Sequence, residues 1–278
     1  MKKIISAFIL TGAVVMVLSL FSCGKKDDSP KAKDLKRVEY GRLKEKNGLM
    51  YESVSPSPFT GVGYELRKDS TLLLEKTYKL GVLNGKTNYY FSNGKKQFEV
   101  EFENGKKHGK NLEWNRDGVL ITRTNYKNGV MDGLQETWYD NGNIKSRLTI
   151  EDGNRNGTVT IWHENGNKMS EGEWRDGKRH GKRITWYENG QKKEKGSYNN
   201  DVVHGRVEGW HKNGNKMYEG TFKNGKMEGT FYNWYENGQK KSEEHYKDDR
   251  LHGRSVRWDK EGNIISEDFY EEGNKAEK

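Results

Sequence analysis

Two alternations are superimposed along this chain. Over short distances apolar and charged side chains change places at every residue. Phe98, Val100 and Phe102 alternate with Gln97, Glu99 and Glu101, and Ile144, Ser146, Leu148 and Ile150 alternate with Lys145, Arg147 and Thr149. A period of two predicts strands with one apolar and one charged face. Over longer distances a bulky side chain falls at every twelfth residue, without insertion or deletion. The register runs Tyr78, Tyr90, Phe102, Trp114, Tyr126, Trp138, Ile150, Trp162, Trp174, Trp186, Tyr198, Trp210, Phe222, Trp234, Tyr246, Trp258, Tyr270. Sixteen of these seventeen positions are aromatic, Ile150 being the exception. So strict a lattice puts successive segments in equivalent slots, which predicts a linear repeat array.

The full period is 24 residues, made of two unlike halves. In one half the bulky residue opens a turn ending in glycine, as in Trp138-Tyr139-Asp140-Asn141-Gly142 and Trp186-Tyr187-Glu188-Asn189-Gly190. In the other it opens what reads as a longer turn with two glycines, as in Trp174-Arg175-Asp176-Gly177-Lys178-Arg179-His180-Gly181. Glycine recurs every 24 residues from 94 to 262 and again from 85 to 253. Both series suit backbone with positive φ, and Asn-Gly is the strongest short-range hairpin signal. All three prolines precede residue 60, so none interrupts a ladder. The fold class expected is all-β: an elongated, single-layer antiparallel β-meander of 24-residue hairpin repeats over residues 78–278. Residues 40–77 read as a degenerate capping repeat, because Ser70 stands where the turn glycine belongs. Two strands per repeat at about 4.8 Å each give roughly 80 Å of sheet. Tyr90, Trp114, Trp138, Trp162, Trp186, Trp210, Trp234 and Trp258 are expected to form a row of structural rings along one edge and the Tyr/Phe positions a row along the other, giving a thin sheet with its core on one side.

Composition explains why the rings matter. Hydrophobic residues make up 31% and charged residues 33% of the 278, and mean hydropathy is −1.14. That balance alone would suggest disorder. The 12% aromatic content, concentrated at one lattice position, is what makes a folded sheet feasible.

At the N-terminus, Met1-Lys2-Lys3 precedes an apolar stretch from Ile4 to Leu20, closed by Leu20-Phe21-Ser22-Cys23. A charged start, an apolar core and a small residue before the cleavage point make a secretory signal over residues 1–22, cut between Ser22 and Cys23. The last four residues resemble the lipobox of bacterial lipoproteins, which implies that Cys23 is diacylated on sulfur and becomes the mature N-terminus. Cys23 is the only cysteine, so no disulfide can form within the chain and its one thiol stands where the lipid would go. An uncleaved membrane helix is the competing reading, since 4–22 is nearly long enough to span. Residues 23–39 are polar and read as a lipidated flexible tether, held to the bilayer by several acyl chains. No Asp follows Cys23, and Lys25-Lys26-Asp27-Asp28 resembles the surface-export signal of lipoproteins in some Gram-negative bacteria. The expected location is the outer membrane, exposed at the cell surface, with the periplasmic face as the alternative.

Charge and side-chain chemistry narrow the function. The formal charge is +9, or about +7 once Lys2 and Lys3 leave with the leader, and basic residues are interspersed with 41 acidic ones. No basic run reaches the density of a nucleic-acid motif, so the charges read as a solvated sheet face and nucleic acid is not an expected partner. His108, His180, His204 and His252 share the slot before the second glycine. Copies in adjacent repeats would lie roughly 9–10 Å apart, too far to share one zinc ion, and no metal or other cofactor is expected. Glu188 and Glu236 occupy copies of one turn and read as solvent-facing, not as a catalytic pair. There is no P-loop, dinucleotide fingerprint or nucleophile elbow. An enzyme is not expected.

The units Trp-Tyr-x-Asn-Gly and Tyr-Lys-Asn-Gly-Lys-x-x-Gly resemble the MORN repeat, in the variant form found in many bacterial proteins, over roughly residues 59 to 273. The resemblance implies β-hairpin units in an elongated, twisted sheet and roles in protein–protein or membrane-lipid contact. Some bacterial members are described as antitoxins of toxin–antitoxin pairs, a role that requires the cytoplasm and sits badly with an export signal. The function expected is a lipid-anchored envelope protein with a non-catalytic protein-binding or scaffolding surface and a protein partner. A glycan- or lipid-headgroup-binding module is the first alternative, and an antitoxin-like inhibitor the second.

Overall fold

A computed structural model describes residues 34–276. The leader, Ser22, Cys23 and the tether up to residue 33 lie outside the described residues. Among those described, twenty strands hydrogen-bond into one long open sheet. Strand β1 (Arg37–Glu39) runs parallel to β4 (Gly61–Leu66), which pairs antiparallel with β5 (Leu72–Lys79). From there each strand pairs antiparallel with the next in sequence, as far as Asn274–Lys275. Nine-residue strands such as Val82–Tyr90 and Lys178–Trp186 alternate with eight-residue strands such as Lys96–Glu103 and Lys192–Asn199. This is the expected meander of 24-residue hairpins.

Two different turns join the strands. After each nine-residue strand comes a three-residue loop. In Tyr187–Gln191, the Gly190 N–H donates to the Tyr187 carbonyl and the Tyr187 N–H donates to the Gln191 carbonyl, both at 2.9 Å. Gly190, at φ +84°, occupies the left-handed position that such a loop requires. After each eight-residue strand comes a two-residue turn. In Asp176-Gly177 both residues have positive φ, +49° and +78°, as the mirror-image hairpin turn demands. The sequence reading of a longer turn containing both glycines therefore needs correction. The second glycine lies within the following strand: Trp174 faces Arg179 and Gly172 faces Arg183, so His180, Gly181 and Lys182 together oppose one residue. Gly181, at φ +76°, sits in that bulge.

A second correction concerns the faces. Across a two-residue turn, paired residues differ by an odd number, as in Phe102 with Lys107. Even-numbered residues thus lie on one face in the eight-residue strands and on the other in the nine-residue strands. A residue twelve positions on, with the same parity, lands on the opposite face. The bulky lattice therefore forms two rows on opposite faces, with Phe102, Tyr126, Ile150, Trp174, Tyr198 and Phe222 on the first face beside the two-residue turns and the tryptophans that end the nine-residue strands on the second, beside the three-residue loops. Neither face is simply apolar: Glu99 and Glu136 are buried on the second face, and Thr87, Thr124, Ser242 and Glu244 on the first.

The larger of the two buried apolar clusters is at the start of the sheet. A single 3-10 turn (Tyr40–Arg42) and the hairpin of β2 (Leu43–Lys46) and β3 (Leu49–Glu52) bring Val38, Leu43 and Met50 against Phe59 and Tyr78. Leu43 reaches over Gly63, where a Cβ would lie 2.7 Å from its methyl group. β4 and β5, inside the stretch read as a capping repeat, already have ladder geometry, including the bulge at Leu66. Ser70 takes the glycine's place at φ +65°, and Asp69 Oδ1 next to it accepts from the Thr71 N–H at 3.0 Å. A smaller apolar cluster, Leu148, Ile150 and Val159 with Ile161 and Trp174, lies on the first face in mid-sheet.

Candidate functional site

The two turn edges of the sheet are built as uniform spines. Along the three-residue loops, each asparagine accepts from the backbone two residues ahead and donates to the next repeat. Asn189 Oδ1 takes the Gln191 N–H at 3.1 Å, and its Nδ2 donates to the Lys212 carbonyl at 3.1 Å. Asn93, Asn141, Asn165, Asn213 and Asn237 donate in the same way. The residue after each tryptophan adds a second rung. The hydroxyls of Tyr139, Tyr187 and Tyr235 donate to the carbonyls of Trp162, Trp210 and Trp258 at 2.7–2.9 Å, and His163 and His211 place Nε2 against those of Trp186 and Trp234. On the opposite edge the second residue of the two-residue turn bonds backward, as from the Gly177 N–H to the Arg155 carbonyl at 2.9 Å. Each repeat is thus stapled to its neighbour at both ends, beyond the ladder itself.

The faces between these spines vary from repeat to repeat. On the second face, Tyr90, Trp114, Trp138, Trp162, Trp186, Trp210, Trp234 and Trp258 fall in one slot, and all are half-buried. Basic groups of the preceding repeat lie over several of them. Lys96, Lys168, Lys216 and Lys240 stand 5.4–5.9 Å from the ring centres of Trp114, Trp186, Trp234 and Trp258. The same lysines reach Glu99, Glu171, Glu219 and Glu243 in their own strands. Burial pushes the Glu99 carboxyl up, but Lys86 and Lys96 outweigh it and hold the group below its ordinary range. The same pairing holds Lys86 above its own. Glu136, 2% exposed, accepts from Arg123 and, at 2.8 Å, from Arg147 Nε.

The first face has an aromatic cleft of about 400 Å³ in the repeats from Arg183 to Asn233. Tyr198, Tyr218, Phe222 and Phe231 wall it, and Gly196 forms part of its floor. Phe222 and Phe231 meet edge to face at 5.4 Å. Arg183 and Glu194 stand 4.0 Å apart, and the Tyr218 hydroxyl donates to Glu194 at 3.0 Å. Burial, with Glu194 next to it, pushes the Tyr218 hydroxyl pKa well up, so it stays a neutral donor.

The structure thus places the eight rings named from the sequence in one row but gathers them into no pocket. His108 and His180 stand beside bulge glycines. Among the described residues no group of three or more His, Cys, Asp or Glu is placed to hold a metal ion. Cys23 and Ser22 lie outside the described residues. The sequence reading missed the cleft. Its signal in the sequence is the run Gly172, Gly196, Gly220, three copies of one slot without a side chain.

Seven consecutive segments, 83–104, 107–128, 131–152, 155–176, 179–200, 203–224 and 227–248, match the family described as MORN repeat variant, and together they cover just over half of the chain. The chain belongs to the MORN repeat variant family. Each match contains most of a nine-residue strand, the three-residue loop, the next eight-residue strand and the first residue of the two-residue turn. The MORN unit is therefore the hairpin centred on the asparagine spine. No curated protein matches the sequence.

Proposed function

We propose that this MORN protein is a lipid-anchored component of the bacterial cell envelope whose sheet acts as a non-catalytic protein-binding or scaffolding surface. One observation carries the binding role: the edges are constant while the faces vary. The loop asparagine and glycine recur with little change, whereas one first-face slot holds Val100, Thr124, Leu148, Gly172, Gly196, Gly220 and Glu244 in successive repeats. A rigid frame with variable face positions is how repeat proteins present extended contact surfaces. The lipobox-like Leu20-Phe21-Ser22-Cys23 supports the anchor, and Lys25-Lys26-Asp27-Asp28 supports an outward-facing location.

Cys23→Ala with membrane fractionation and protease shaving of whole cells tests the anchor. The wild-type chain should sediment with outer membranes and be shaved, and the variant should be neither lipidated nor membrane-bound. A wild-type chain that stays soluble with its leader intact ends the anchoring proposal. For the surface, photo-crosslinkers placed on one face at a time should give a discrete protein adduct from one face only. Equal, diffuse labelling from both faces would defeat it.

A further inference from the structure

We infer that the first-face cleft around Gly196 is a binding site for one ring of a neutral oligosaccharide. The inference deepens the reading of the sheet as a binding surface by naming a ligand class for one part of it. The cleft exists because Gly196 leaves its slot empty while Gly209 leaves room for the Tyr218 ring that walls it. The slot of Gly196 is filled by Val100, Thr124, Leu148 and Glu244 in other repeats, and that of Gly209 by Thr137, Ile161, Thr185 and Asn233. A Cβ on Gly209 would run into the Tyr218 ring, and one on Gly220 into the Phe231 ring, so these glycines let two rings lie flat on the sheet. Gly196 has only the Val207 methyl close by, at 3.3 Å, and is left as open floor.

The lining selects among ligands. Aromatic faces attract the C–H face of a sugar ring, and a cavity of about 400 Å³ is in the range of small-ligand sites. At its polar end Arg183 and Glu194 are 4.0 Å apart, too far to hydrogen-bond each other. A donor fork and an acceptor therefore face the same space, partly unspent. A hydroxyl both donates and accepts, so one sugar hydroxyl, or a neighbouring pair, can bridge them. An acyl chain would cover the Arg183–Glu194 pair and offer neither group a hydrogen bond in place of water. An anionic headgroup would meet Glu194, and a cation would meet Arg183. An extended peptide could not add as a strand, because the strands here are paired on both sides.

Isothermal titration calorimetry of the full-length protein tests the site, with the hexasaccharides of cellulose, laminarin, maltose and chitin as neutral probes. Phosphatidylglycerol vesicles and hexaguluronate serve as acidic probes. At least one neutral hexasaccharide should bind, and Gly196→Leu, which copies the side chain of the Leu148 slot, should weaken it at least tenfold with an unchanged melting temperature. Glu194→Gln, which leaves the floor intact, should weaken the same sugar and keeps the test decisive should the leucine variant fold poorly. The inference is overturned if no neutral probe binds, if only the acidic probes do, or if both variants bind as the wild type does. A chain that binds sugar but yields no protein adduct ends the scaffolding proposal alone; the converse result ends only this one.

Discussion

At the scale of single residues, the clearest departures from the repeat are the most testable. Leu80 occupies the first position of a two-residue turn at φ +50°, where every other repeat but the last, which has Glu272, uses Asn or Asp, and it is 65% exposed. A leucine gains nothing there and bears the left-handed penalty of about 1–2 kcal/mol. Leu80→Asn should therefore raise stability by about 0.5–1 kcal/mol, read from urea unfolding midpoints. Glu99 is the counter-case, a carboxylate buried on purpose between Lys86 and Lys96. Its folded pKa lies below the unfolded one, so its contribution is complete above about pH 5 and disappears as pH falls through the folded value. Lys86 has its folded pKa raised, so its share is complete below about pH 10 and is lost only as pH rises beyond it. Glu99→Gln should flatten the acid limb of a melting-temperature profile measured between pH 3 and 7. An unchanged limb would mean that other carboxylates dominate it. Glu136 is more buried, but its arginines reach solvent with side chains 35% and 56% exposed, so removing the carboxylate does not strand them in the sheet.

At the scale of the element, the hairpin is specified by its backbone more than by its core. Gly181 and Gly172 look alike in the sequence yet differ in what they do. Gly181 holds a bulge at φ +76°, and Gly172 lies in ordinary extended strand with Arg183 Cγ 3.3 Å from where a Cβ would be. Gly181→Ala should cost about 1–2 kcal/mol, whereas Gly172→Ala should be near neutral, both measured by chemical denaturation. Tyr187→Phe removes one rung of the loop spine without touching the ring, and should cost about 1 kcal/mol. Equal unfolding midpoints for Tyr187→Phe and wild type would show that the spine is not a source of stability. The hairpins themselves were legible, since Asn-Gly and period-two alternation are local signals. The spine was not: a Tyr or His after Trp has no local reason to be there, and its acceptor is a carbonyl 23 residues away.

At the scale of the whole described sheet, stability is a sum of neighbour interactions with local reinforcements. The reinforcements are the apolar cluster under β2 and β3 and the smaller one around Leu148, Ile150 and Val159. Amide hydrogen exchange should accordingly be slowest near Tyr78 and in strands Ile144–Glu151 and Asn154–Trp162. It should be faster in Lys192–Asn199 and Val202–Trp210, which border the cleft at Gly196, Val203 and Val207. Uniform protection along the sheet would contradict this gradient.

The sequence alone determined the repeat, its 24-residue length, the antiparallel meander and the aromatic rows, because each depends on turn chemistry and spacing within about a dozen residues. It misjudged the faces the two rows take. Which face a ring takes depends on the parity change at a two-residue turn, and Tyr198 and Trp210, twelve apart, end up on opposite faces and at opposite ends of neighbouring strands. Only the tertiary structure decided that the second glycine of each repeat forms a bulge. Only it showed that Glu99 and Glu136 are buried acids held by bases from adjoining strands, and that Gly196 opens onto a cleft walled by the Tyr218 ring, for which Gly209 leaves room. These outcomes rest on which strand lies next to which and in what register, and no stretch of chain carries that information by itself.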